Sequence, residues 1–272
     1  MEVLIADRLL LFWRMMAVVA VVTGLLAWRY LWLLGRGHVG QPGRPAGVGG
    51  VLRAAFRPPA GGWRRLGHHL WADGLLHRRL WLSDRRRWLA HQSMLLGFGG
   101  LALLSFFAAL SEHVFRPLAL DYAAIAALRD MDQPFLAALH ETLGLLLLAG
   151  GAMAGLRRAL AGGEHLPRSG PDTAVVALIL FITASGYPVE ALRLLMEQVP
   201  PEVARFSFVG WPLARWLSPL GLNWAAWHFW TFQVHVVASV VLFVYLPFSK
   251  MLHVFVSPVV AGLGAAEAEA TR

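Results

Sequence analysis

Five apolar stretches govern what this chain can fold into: roughly residues 9–34, 91–111, 134–156, 173–196 and 224–250. An α-helix rises about 1.5 Å per residue, so about 20 residues cross the hydrocarbon of a bilayer. All five stretches reach that length with only scattered polar residues. The first runs on through Tyr30, Leu31 and Trp32 without a small-residue cleavage pattern, so it reads as a span and not as a removable leader. Composition agrees: 57% of residues are apolar and 15% charged, against about 45–50% and about 25% in soluble domains. A soluble globular enzyme, a disordered chain and a collagen-like repeat are excluded. The expected fold is all-α, a single membrane domain over 1–272 built as a bundle of five transmembrane helices.

The loops set the orientation. Segment 35–90 carries eleven arginines (Arg36, Arg44, Arg53, Arg57, Arg64, Arg65, Arg78, Arg79, Arg85, Arg86, Arg87) against Asp73 and Asp84. Loop 157–172 carries Arg157, Arg158 and Arg168 against Glu164 and Asp172, whereas loops 112–133 and 197–223 are acidic or balanced. Cytoplasmic loops hold the Lys/Arg excess, which predicts the N-terminus outside and the C-terminus inside. The net charge, 24 − 16 = +8, is thus explained by topology, and nucleic acid is not expected as a partner. Residues 38–62 are rich in Gly and Pro and read as a loop. After them, Leu66, Leu70, Trp71, Leu75, Leu76 and Leu80 recur at helical spacing among arginines, the pattern of a basic amphipathic helix at the cytoplasmic face. Anionic lipid and a cytoplasmic subunit are both candidate contacts for it.

Ionisable side chains within a bilayer are costly and usually functional. His91, His140, His235 and His253 lie within or at the ends of spans, with His228 nearer the outer edge. His91 opens the second span and His253 follows the fifth, both at the inner face. His140 lies 16 residues outward of Leu156, and His235 lies 18 residues outward of His253. These are roughly 24 and 27 Å from the cytoplasmic side, so they share a level. The chain has no cysteine, which excludes disulfides, Cys-ligated zinc, Cys-ligated iron–sulfur clusters and covalent c-type haem. Two His pairs stacked across a membrane suggest two b-type haems, His91 with His253 holding the inner and His140 with His235 the outer. Gly97 and Gly99 after His91, and Gly144, Gly150 and Gly151 after His140, offer either room for a porphyrin or close helix packing.

The fifth span and its exit read FQVHVVASVVLFVYLPFSKMLHVFVSPV. This resembles the gamma subunit of respiratory nitrate reductases and the cytochrome b subunit of membrane-bound heterodisulfide reductases. The resemblance rests on His235, Pro247-Phe248-Ser249-Lys250, His253 and Pro258, with His91 in LAHQSMLLGFGGL opening the second span. It implies bound haem b and exchange of electrons with quinone. Where the nitrate reductase subunit has a second ligand ten residues into its second span, this chain has Leu101. His140 is the substitute that the depth count offers; a chain with the inner haem alone is the alternative.

Near the outer boundary, Glu190 and Arg193 are three residues apart and share a helix face. His228, Trp224 and Trp227 open the fifth span at that level, and Glu141 adjoins His140. A carboxylate or imidazole in a partly apolar cleft can take up a proton near neutral pH. Glu190, Arg193 and His228, with Glu141, are the candidate quinone site; an interfacial ion pair with belt tryptophans is the plainer reading. The expected function is a dihaem cytochrome b subunit in a bacterial or archaeal cytoplasmic membrane. It passes electrons between quinone and a cytoplasmic iron–sulfur subunit that serves a catalytic subunit. A haem-free transporter using its histidines as a proton relay is the competing class.

Overall fold

A computed structural model describes residues 17–18, 20–32, 36, 47, 49, 62–120, 122–160 and 170–245. All regular structure among them is helical. Four described helices are long and apolar enough to cross a membrane. They coincide with the second to fifth expected spans. Residues 20–32 of the first expected span are helical; most of the remainder of that stretch lies outside the described residues, as do residues 246–272 with His253 and the 247–250 segment.

The chain divides into two compact units, 1–76 with 240–272, and 77–239. In the first, helix α1 (Gly62–His69) runs into a π-helical turn over Leu70–Leu75. In the second, α2 (Arg78–Ser83) precedes α3 (Arg85–Leu110). The single amphipathic helix expected over this stretch is therefore divided. His77 takes a left-handed conformation at φ 50°, and Asp84 is extended at φ −153°. Asp84 ends α2 and caps α3, its carboxylate accepting the Arg87 amide at 3.0 Å. That cap explains why α3 starts at Arg85, six residues before the apolar run that marks it in the sequence.

Helix α3 ends in a π turn at Ser111–Phe115. There the fully buried Ser111 hydroxyl donates to the Ile125 carbonyl at 2.6 Å and accepts from Arg129 at 3.1 Å. Helix α4 (Pro134–Leu160) begins at a proline, which suits a position with no intrahelical acceptor for an N–H. Helix α5 (Gly170–Met196) carries Pro188 in its interior. The segment after it folds back: α6 (Gly210–Leu217) packs on the end of α5 around Ala191, Leu194, Val199, Ala204 and Ala214. Helix α7 (Trp224–Tyr245) opens on Asn223, whose side-chain oxygen accepts the Ala226 amide at 3.1 Å.

The helices pack through glycine. A Cβ at Gly97 of α3 would stand 2.7 Å from the Leu143 carbonyl oxygen and from the backbone of Leu147 on α4. At Gly150 of α4 it would stand 2.8 Å from the Ala90 carbonyl oxygen of α3. Gly144 and Gly151 meet Tyr187 and Leu180 of α5. These four glycines bring helices together, whereas Gly99 of the set faces open space. Apolar side chains such as Leu103 (58% exposed), Phe106 (58%) and Val237 (59%) point outward, the expected arrangement where lipid, not water, is the neighbour.

Candidate functional site

The polar heart of the second unit is Glu141 on α4, 4% exposed. Its carboxylate accepts two backbone N–H groups from the start of α6, Val209 at 2.6 Å and Gly210 at 3.0 Å. A carboxylate at a helix N-terminus satisfies amides that have no intrahelical acceptor and meets the positive end of the helix dipole. Gly210 is required here: a Cβ on it would stand 2.8 Å from Glu190 Cγ and 3.1 Å from Glu141 Oε1. Tyr187 of α5 donates its hydroxyl to the main-chain oxygen of Glu141 at 3.1 Å.

Glu190 lies one step further along α5. Arg193 donates to both its oxygens, Nε to Oε2 at 2.9 Å and Nη2 to Oε1 at 3.0 Å, and Ser207 donates to Oε1 at 2.8 Å. This is the two-pronged geometry in which Arg binds carboxylate best. The same guanidinium reaches Asp132 at 3.0 Å and Glu197 at 2.6 Å. The pairing of Glu190 with Arg193 expected from their spacing is present. Asp132, Glu197 and Ser207 join it from outside any local pattern. Three carboxylates share one cation, with a fourth, Glu141, on the other side of Gly210. His228 is not among the groups that bond Glu190 or Arg193; it stacks on Phe232 at 5.8 Å.

Two of the expected haem ligands have one ring nitrogen anchored. His140 donates Nδ1–H to the Leu136 carbonyl of its own helix at 2.9 Å. His235 of α7 lies 3.0 Å from the Ser185 hydroxyl, which itself donates to the Ile182 carbonyl, so the imidazole is the donor through Nδ1. A neutral ring fixed in this way carries its lone pair on Nε2, the state in which histidine ligates iron. Ser185 and Tyr187 are two residues apart on α5 and so project about 200° apart. Helix α5 therefore runs between Glu141 on α4 and His235 on α7. No described contact joins the rings of His140 and His235.

His91 lies with its Nε2 3.2 Å from Nε2 of His77, the rings perpendicular at 86° and 4.5 Å between centroids. Its expected partner, His253, lies outside the described residues. Two axial imidazoles on one haem iron hold their Nε2 atoms about 4 Å apart across the metal, so the His77–His91 contact is not such a pair. Among the described residues no three His, Cys, Asp or Glu side chains converge to hold a metal ion; a haem iron asks for only two from the protein. Each ring is thus bonded through Nδ1, to Leu136 for His140 and to Ser185 for His235, and no described contact brings the pair together.

Comparison with protein-family models, with characterised proteins and with solved structures gave no match.

Proposed function

We propose that this chain is a quinone-coupled, b-type cytochrome subunit of a membrane oxidoreductase complex. One observation carries the reading. Within two residues of α5, Tyr187 bonds the backbone of Glu141 and Ser185 bonds His235. Groups able to take protons and an imidazole prepared for iron thus stand at one level of the helices. Quinol oxidation needs both, since each quinol gives up two protons with its two electrons.

In this reading Arg193, held by Glu190, orients the quinone oxygen, and Glu190 and Glu141 accept protons. Asp132 and Glu197, on the more exposed side of Arg193, pass them outward. Haem b, expected on His140 with His235 and on His91 with His253 in the two-haem form, would supply one-electron redox chemistry when bound; His140 and His235 would first have to come together on one iron. Five spans with loops 35–90 and 157–172 in the cytoplasm place Glu190 near the outer face of a bacterial or archaeal cytoplasmic membrane. The arginine-rich segment then meets both lipid and the cytoplasmic iron–sulfur subunit that exchanges electrons with the catalytic subunit. A second reading, a haem-free proton relay, draws on the placement of α5 between His140 and His235.

A pyridine haemochrome assay on the purified full chain, with protein quantitation, decides between them. About two b haems per chain support the two-pair form, about one the single-haem form, and none after expression with ample haem moves the proton relay to the front. In a haem-containing chain, Glu190→Gln should slow quinol-driven haem reduction by about 10²-fold and leave dithionite reduction unchanged. Equal quinol-driven rates return Glu190 to a structural role.

A further inference from the structure

His77 and His91 are 14 residues apart in the chain, with His77 just before α2 and His91 in the second turn of α3. Between them the chain breaks at the extended Asp84, and α2 lies against α3. The result is two Nε2 atoms 3.2 Å apart on perpendicular rings. Two ligands of one tetrahedral metal ion, each about 2.05 Å from it, have donor atoms about 3.3 Å apart. The observed spacing is thus that of adjacent ligands on one small ion.

We infer that His77 and His91 chelate a single first-row transition-metal ion through their Nε2 atoms, water completing its coordination. The class follows from the donors. Imidazole binds Cu²⁺, Zn²⁺, Ni²⁺ and Co²⁺, whereas Mg²⁺ and Ca²⁺ require oxygen. This site does not rest on the quinone reading. It competes with an inner haem for His91, and where it is occupied the cytochrome is of the single-haem form.

The test uses the full chain in detergent without a polyhistidine tag, titrated with Cu²⁺, Zn²⁺, Ni²⁺, Co²⁺ and Mg²⁺ salts, with haem content read on the same samples. The expected result is one ion per chain, Cu²⁺ held most tightly and Mg²⁺ not bound. His77→Asn, which tolerates the left-handed backbone, should weaken Zn²⁺ binding at least tenfold. His69→Ala, which removes the separate His69–Asp73 contact, should not. His91→Ala should match His77→Asn; if it fails to fold, His77→Asn decides alone. Unchanged Zn²⁺ affinity in His77→Asn overturns the site and leaves a hydrogen bond between two rings. Loss of haem in His91→Ala with unchanged Zn²⁺ affinity also overturns it, and returns His91 to the inner haem.

Discussion

Glu141→Leu should destabilise the fold by roughly 3 kcal/mol, because two amides at the start of α6 lose their acceptor at once. An unsatisfied buried donor costs about 1–3 kcal/mol, and hydrogen bonds to a charged acceptor lie at the strong end of the range. Val209 and Gly210 both donate to this carboxylate, so the costs come together. Glu141→Gln should lose about half as much, since its oxygen still accepts one amide while its NH₂ faces the other. Thermal unfolding in mild detergent would show the leucine variant lower by about 6–12 °C. A leucine variant as stable as the natural chain would mean that water serves these amides.

The second large effect is expected at Gly97. Valine there places a Cβ 2.7 Å from the Leu143 carbonyl oxygen and the Leu147 backbone, and backbone cannot turn aside as a flexible side chain can. Overpacking typically costs about 1–3 kcal/mol; with α3 and α4 forced apart, a loss near the top of that range is expected. Gly99→Ala is the control. Its Cβ meets nothing within 4 Å, and alanine favours helix by up to about 1 kcal/mol, so that variant should match or exceed the natural chain. Equal losses at both positions would show that helix propensity, not interhelical contact, sets the effect.

The long helices were legible because a span is a local property: an apolar run of sufficient length announces itself. Their ends were less so. Helix α3 begins at Arg85 because Asp84 caps it, and no apolar residue marks that point. The bond between Glu190 and Arg193 follows from a spacing of three on a helix. The acceptor role of Glu141 toward Val209 and Gly210 spans 68 and 69 residues and leaves no periodic trace. The partnership of His77 with His91 was likewise hidden, since breaks at His77 and at the extended Asp84 divide what reads as one helix. The glycines after His91 and His140 admitted two meanings in sequence, and at Gly97, Gly144, Gly150 and Gly151 a neighbouring helix stands in close contact.

The separation between Glu141 and its amide donors sets a schedule for biosynthesis. At about 5–20 residues per second, the ribosome needs roughly 3–14 s to travel from Glu141 to Val209. Throughout that interval α4 holds an acid whose eventual donors do not yet exist, while the glycine contacts with α3 can already form. The nascent hairpin of α3 and α4 therefore waits with one polar group exposed, and arrival of the segment around Gly210 seals it. Chains stalled or truncated between these points should be the ones that quality-control proteases find first.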